Sequence, residues 1–180
     1  QRMSRGLGDV YKRQIINMPK PVIASVPGPA AGIGAALAMS CDLRVMSEDS
    51  YLLSVFSNIA LVPDGGLSWF LPKFMGYAKA YEHAIEAKKI LASDCLKYGI
   101  ANKVVPSDQL EQITLDWANQ LAKRSSQSLN HTKRLMRESL AMSYWDTFSN
   151  EAEIQNELTV SDQNREAVKA FLEKREPNFD

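Results

Sequence analysis

The sequence predicts an α/β fold that continues into a helical region at its C-terminal end. Two observations support this prediction. Between residues 15 and 105, short apolar runs of strand length alternate with stretches of helical spacing. From Pro106 onward, apolar residues recur only at helical intervals, as do Leu110, Ile113 and Trp117. The 180 residues are enough to bury a sizeable core.

The elements of the α/β part can be assigned in order. Residues 21–26 form an apolar run between prolines, which is typical of a buried strand. Small residues then open a helix near Ile33, and Pro72 is expected to kink or end a later helix over residues 67–76. Residues 77–90 again show helical spacing. Three more strands are expected at residues 42–46, 51–55 and 103–105.

The small-residue turn after the first strand is one candidate functional feature. A strand, a tight turn and a helix leave backbone N–H groups at the helix start free to hold negative charge. A second candidate is Asp64, which stands in a VPDGG turn between apolar segments. In an apolar pocket a carboxylate loses solvation, its pKa rises, and it becomes a better base. Together the two features predict proton transfer beside a carbonyl group.

Both features have alternative interpretations. Gly28, Gly32 and Gly34 after a strand also resemble a dinucleotide-binding turn, for which Glu48 would be the acidic residue. The prolines that flank the first glycine stiffen the turn and oppose that interpretation. A small-residue helix that only packs on a sheet fits the same pattern, and Asp64 can serve only to bond its own turn.

The remaining composition excludes several classes of protein. Lysine plus arginine and aspartate plus glutamate both total 21, so we expect no nucleic-acid partner and no anionic membrane. No apolar run approaches the roughly 20 residues of a membrane span. Cys41 and Cys95 have no metal-ligand spacing near them and are expected to be free thiols, and no metal is expected. His83 and His131 have no partner at useful spacing, so the sequence assigns them no catalytic role.

Residues 1–14 do not match the pattern of the rest of the chain. They carry four basic residues against one acid, without apolar periodicity and without the apolar stretch of a signal peptide. The string resembles read-through from a cloning or sequencing adapter, so we predict a non-native or disordered leader. The rest divides into a partial α/β core, residues 15–105, and a helical region, residues 106–180.

Two motifs identify a family resemblance. The first is KPVIASVPGPAAGIGAALAMSCDLRV, and the second, which follows it, is FSNIALVPDGG. In their order and spacing both resemble the motifs of the enoyl-CoA hydratase/isomerase, or crotonase, superfamily. The resemblance covers residues 18–180 and includes the C-terminal helices.

The resemblance implies a crotonase-like spiral core of strands and helices, of which this chain holds the C-terminal half. It also implies that the C-terminal helices mediate trimerisation. The shared chemistry of the family is the stabilisation of a thioester enolate by two backbone N–H groups, one of which falls here on Ile33. The substrate-binding positions implied by the resemblance are Gly32, Gly34, Phe56, Ala60 and Gly65.

The carboxylate positions distinguish branches of the family. Hydratases carry two glutamates around a water, at positions that match Ala36 and Phe56 here. Isomerases carry one carboxylate just after the proline of the later turn, where Asp64 stands. The resemblance therefore implies an isomerase that converts 3-enoyl-CoA to 2-enoyl-CoA with Asp64 as acid and base. A hydratase or another crotonase-type thioester enzyme is one alternative, and a catalytically inactive oligomerisation module is another.

The resemblance also sets expectations about partners. Family members have further residues before the first strand that supply the other oxyanion donor, so we expect this chain alone to be poorly active. Phe171 and Lys174 resemble positions that contact CoA from a neighbouring subunit. The expected partners are an acyl-CoA thioester and other copies of the chain, in a homotrimer or a dimer of trimers. No cofactor is expected beyond the coenzyme A of the substrate, and a cytoplasmic location is expected.

Overall fold

The computed structural model of the protein describes residues 2–179, which form two compact units. The first unit contains Val22–Asp116 together with the first helix, and the second contains Pro19–Pro21 and the residues from Trp117 onward. The elements up to the last strand are helix α1 (Arg2–Asn17), strands β1 (Ile23–Val26) and β2 (Pro29–Ala31), helix α2 (Ile33–Ser40), strands β3 (Leu43–Ser47) and β4 (Tyr51–Leu53), a 3-10 turn (Phe56–Ile59), helices α3 (Leu67–Met75) and α4 (Tyr77–Ile85), strand β5 (Lys89–Leu91), helix α5 (Ala92–Lys97) and strand β6 (Lys103–Val105). The elements after it are a second 3-10 turn (Ser107–Gln109) and helices α6 (Leu110–Ala122), α7 (Ser126–Ser139), α8 (Tyr144–Thr159) and α9 (Asp162–Glu173).

Two small sheets organise the first unit. One is parallel, in the order β1-β3-β6, and places Ala24 opposite Arg44 and Val45 opposite Lys103. In the other, β4 lies between β2, to which it is parallel, and β5, to which it is antiparallel. The strands β1 and β3 are parallel neighbours, which need a crossover connection, and α2 lies on that connection. The predicted mixed α/β fold followed by helices is confirmed.

The core of the first unit surrounds α2. Alanines and Met39 on this helix are buried, and they belong to one cluster with Met46 and Leu52 of the neighbouring strands. Leu67 of α3, Ile90 of β5 and Ile100 are also among the largest fully buried side chains of that cluster. Because alanine side chains are short, the helix can approach both sheets closely. The core therefore buries one face of the helix whose first amide was predicted to be functional.

The predicted strands at residues 21–26, 42–46, 51–55 and 103–105 are confirmed as β1, β3, β4 and β6. The strands β2 and β5 were not predicted, because β2 lies in the small-residue turn and most of β5 lies in the segment that showed helical spacing. The helix expected over residues 77–90 ends at Ile85, where the chain turns through Ala87 at φ 47° into β5. The strand β5 pairs with β4, a long-range contact that no local sequence pattern predicts.

Pro72 was expected to kink or end the helix; it lies inside α3, so the helix does not end there. A proline in a helix interior removes one backbone hydrogen bond. Here Leu67, Leu71 and Met75 are buried along one face of α3, before and after the proline. The free energy gained by burying this face is larger than the cost of the missing hydrogen bond, so the helix continues to Met75.

The leader differs from its prediction in one respect. A non-native or disordered leader was expected for residues 1–14; in the structure α1 extends from Arg2 to Asn17 and contacts α2. Lys12 on this helix is 8% exposed, so its aliphatic stem packs against the unit although the sequence offers no apolar period. That the leader is non-native stays a prediction.

The helices of the second unit begin with serine N-caps. The hydroxyl oxygens of Ser125, Ser143 and Ser161 accept hydrogen bonds from backbone N–H groups in the first turns of α7, α8 and α9. On α8 the rings of Tyr144 and Trp145 are both 71% exposed and lie edge to face. Among the described residues, no helix combines the length and the apolar character that crossing a membrane requires.

Candidate active site

The start of α2 presents an unpartnered backbone N–H group. Gly32 precedes the helix at φ 54° and ψ −118°, and no side chain caps the helix start. The Gly32 N–H donates to the Leu53 carbonyl at 2.9 Å, and the Gly32 carbonyl accepts from the Ala36 N–H at 3.0 Å. Within residues 2–179, the Ile33 N–H donates no hydrogen bond. It is therefore available to an anionic oxygen at a helix N-terminus.

The VPDGG turn packs directly on this helix start. A Cβ atom placed on Gly65 would lie 2.5 Å from the Ala36 Cβ and 3.7 Å from the Ile33 Cδ1. Gly65 also has φ +68°, a conformation that side chains rarely adopt. The structure thus brings together the two segments that the sequence analysis singled out, and only glycine fits at the point where they meet.

Replacing Gly65 with alanine is expected to lower the free energy of unfolding by about 2–5 kcal/mol, the sum of left-handed backbone strain and overpacking. Chemical denaturation of the two proteins measures this difference. Gly28→Ala is the matched control, because no atom lies within 4 Å of a Cβ at Gly28 and its φ is not left-handed. Equal stability losses in the two variants would contradict the close contact at Gly65.

Asp64 is exposed, and its Oδ1 accepts a hydrogen bond from the Gly65 N–H at 2.6 Å. The expectation of an apolar, desolvated setting for this carboxylate is wrong for this chain. The apolar residues before it are themselves exposed, Leu61 by 51% and Val62 by 79%, so they form no wall around the carboxylate. Its Oδ2 accepts no hydrogen bond from the described residues and remains open to a substrate. The catalytic assignment of Asp64 stays a prediction.

The other predicted substrate-binding residues differ in position. The Phe56 ring is buried, and its Cζ would lie 3.8 Å from a Cβ on Gly32. Gly34, in the first turn of α2, has open space where a side chain would be. Ala60 is exposed at φ 56° and ends the 3-10 turn. The site therefore groups the Gly32–Gly34 turn, Phe56 and Gly65.

The two positions expected to hold hydratase glutamates hold none. Ala36 has no exposed surface, and the Gly65 backbone covers its Cβ. A glutamate at position 36 would collide with this turn, because even one added carbon at Gly65 meets the Ala36 side chain. Phe56 fills the second position with an apolar ring. The site thus offers one carboxylate, on Asp64.

Two side chains near the site were not predicted. The Lys12 Nζ would lie 3.0 Å from a Cβ on Gly65, but Lys12 belongs to the predicted non-native leader and we assign it no role. Arg44, at the far end of α2, is buried. The arginine follows the helix in the sequence, but no sequence signal shows that its side chain turns back to it.

Cysteine and metal chemistry find no support at this site. Burial raises the pKa of the Cys95 thiol to about 12, with a smaller contribution from Asp94. The thiol is therefore protonated and inert at neutral pH. Within the described part of the chain, no group of three or more potential metal ligands occurs.

The predicted CoA-contact residues lie on the second unit. Phe171 is 81% exposed on α9, and Lys174 follows that helix at φ 55° as its C-cap. The next residue, Arg175, binds Glu166 through two hydrogen bonds of 2.6 and 3.0 Å, which lowers the pKa of that carboxyl to about 2. This ion pair fixes the chain end next to the turn, and Lys174 adopts a strained backbone conformation.

Lys174→Gly is expected to raise the free energy of unfolding by about 1 kcal/mol, because glycine adopts the left-handed conformation without strain. Thermal unfolding of wild type and variant measures the gain. Lys174→Ala removes the same charge but keeps the strain, so it should give no comparable gain. A stabilisation shared by both variants would mean that charge, not backbone conformation, is responsible.

The fold and this site define a class of protein. The chain is similar to a solved enoyl-CoA hydratase from Polaromonas sp. JS666, with a TM-score of 0.92 and 32% identity, over 97% of this chain and 67% of that one. The family model described as enoyl-CoA hydratase/isomerase matches residues 2–180. The chain belongs to the enoyl-CoA hydratase/isomerase family.

Curated relatives have names from both branches of that family. A probable enoyl-CoA hydratase of Rhodobacter capsulatus is 36% identical over 92% of this chain. The 1,2-epoxyphenylacetyl-CoA isomerase of Escherichia coli is 31% identical over 93% of it. The chain spans 64% of the length of each of these relatives. Similarity to them does not decide between hydration and isomerisation.

Proposed function

We propose that this protein is an acyl-CoA isomerase that moves a double bond from the 3,4 to the 2,3 position of an enoyl thioester. The observation that carries the proposal is the unpartnered Ile33 N–H beside a turn whose one carboxylate is Asp64. The names of the relatives support thioester chemistry, and one of them is an isomerase.

The proposed reaction begins with the thioester oxygen accepting a hydrogen bond from Ile33. Asp64 takes a proton from the α-carbon, and the C–H electron pair becomes the enolate π system, with negative charge on that oxygen. The γ-carbon then takes the proton back from the Asp64 carboxyl group, and the double bond moves into conjugation. No atom is gained or lost. Typical contributions are about 10²- to 10³-fold for one oxyanion donor and about 10²- to 10⁴-fold for a general base.

Hydration is the second candidate, because the Rhodobacter relative is named a probable hydratase. Water addition needs a group that deprotonates water on one face while another protonates the α-carbon. Ala36 and Phe56 can do neither, which favours isomerisation. Assembly into a trimer, CoA contacts of Phe171 and Lys174, and a cytoplasmic location remain predictions.

The chain itself can be tested with two thioesters. With 3-hexenoyl-CoA we expect conversion to 2-hexenoyl-CoA, and with 2-butenoyl-CoA we expect no added water. Because low activity is expected, exchange of α-hydrogens for deuterium in D₂O, followed by NMR over long incubations, gives a sensitive measure of enolate formation. Hydration faster than migration would favour the second candidate. Exchange no faster than in buffer would contradict both.

A further inference from the structure

The C-terminal end of α2 is held by a buried arginine. Arg44 is 4% exposed, and its Nη1 donates to the carbonyls of Ala38 at 3.2 Å and Cys41 at 2.7 Å. The carbonyls of the last helical turn have no hydrogen-bond donors within the helix. The arginine supplies the donors that α2 itself lacks. A cation at this end also interacts favourably with the helix dipole.

The same guanidinium ties the helix to the segment before β6. The Arg44 Nε donates to the carbonyl of Ile100, which is fully buried. The Arg44 backbone adds two bonds to Asn102, one from its N–H to the side-chain oxygen at 2.8 Å and one from the Asn102 N–H at 2.9 Å. The guanidinium carbon lies 5.6 Å from the centre of the Phe74 ring on α3. Arg44 thus joins the end of α2 to two other elements.

We propose that Arg44 is a positioning residue for the Ile33 N–H group; this inference rests on the proposed function. Ile33 begins a helix of eight residues, about 12 Å long, and the Arg44 guanidinium binds carbonyls at the other end of that helix. That helix buries mainly alanines, which offer few large contacts to fix its position along its axis. Its N-terminal end is held by the backbone hydrogen bonds of Gly32 and by the glycine turn at Gly65 that packs on it. Displacing the C-terminal end of α2 therefore also moves the Ile33 amide at its N-terminal end.

Arg44→Met and Arg44→Lys test the inference. Methionine keeps the aliphatic volume and loses every hydrogen bond of the guanidinium, whereas lysine keeps the charge and can bind some of the carbonyls. Misplacement of a reacting group by about 1 Å can slow catalysis about 10²-fold. We expect kcat for 3-hexenoyl-CoA to fall by about 10- to 100-fold in Arg44→Met, with KM little changed and partial recovery in Arg44→Lys. The Ile33 amide cross-peak in the NMR spectrum of the ligand-free protein should move in parallel.

Leu110→Ala is the control for general loss of stability. Leu110 is 4% exposed but lies outside the buried cluster that surrounds α2. The Leu110→Ala variant should therefore be less stable than wild type. At a temperature where this variant is folded, its Ile33 cross-peak and its kcat should be unchanged. The inference would be overturned if folded Arg44→Met kept the kcat and the Ile33 cross-peak of wild type. It would also be overturned if Leu110→Ala lowered kcat as much as Arg44→Met does. It is also rejected if neither Arg44 variant folds, because Arg44 then serves stability alone. If wild type does not isomerise, the proposed function fails, while the ligand-free cross-peaks still test the positioning.

Discussion

Asp64→Asn is expected to slow conversion of 3-hexenoyl-CoA by about 10²- to 10⁴-fold, the usual contribution of a general base. The amide has nearly the same shape as the carboxylate but cannot take up the α-proton. Its oxygen can still accept the hydrogen bond from the Gly65 N–H, so the turn should keep its conformation. The rate of α-deuterium exchange and the appearance of the conjugated thioester both measure the effect.

Asp108→Asn is a suitable control for that experiment. Asp108 is exposed in the 3-10 turn before α6 and lies outside the grouped site residues. Its replacement makes the same change of charge and should leave the rate unchanged. Circular dichroism of both variants should match wild type. Turnover by Asp64→Asn within a factor of about two of wild type would remove Asp64 from the mechanism, since a lost general base has a far larger effect.

The second large effect is expected from Ile33→Pro. Proline is tolerated at the first position of a helix, and it removes the one N–H that is proposed to bind the thioester oxygen. Loss of one oxyanion donor should lower kcat by about 10²- to 10³-fold. KM should change less, because the hydrogen bond strengthens mainly as charge develops on the oxygen.

Ile33→Ala separates the backbone from the side chain. Alanine keeps the N–H and loses the Cδ1 that lies near Gly65, so it should retain most of the activity. Steady-state kinetics of the two variants, with thermal unfolding to verify that both are folded, provides the measurement. Similar losses in both would show that the isoleucine side chain matters, and that the free amide does not.

The local features of the site could be predicted from sequence because local chemistry determines them. A run of apolar residues between prolines forms β1, and small residues open α2 at Ile33, where the first N–H groups lack partners in any helix. The resemblance added which amide and which carboxylate to consider. The family assignment is confirmed.

The environment of Asp64 could not be predicted in this way. The residues before it are apolar in sequence, which favoured a desolvated carboxylate, yet Leu61 and Val62 are exposed. Whether an apolar side chain covers a neighbouring residue or faces solvent depends on the elements that pack against it, and the adjacent sequence does not show which elements these are. The helix does not end at Pro72, one of the two outcomes expected there, for a related reason: burial on both sides of the proline outweighs its local preference.

By itself, the sequence determined the strands β1, β3, β4 and β6 of the core and the chemical groups available for catalysis. These follow from backbone preferences and from periodicity over a few residues. Only the tertiary structure decided that Gly65 packs on Ala36 and that Arg44 reaches the carbonyl of Ile100 across a separation of 56 residues. Such contacts arise when elements distant in the chain pack together, and the free energy of that packing depends on shape and burial across the whole unit.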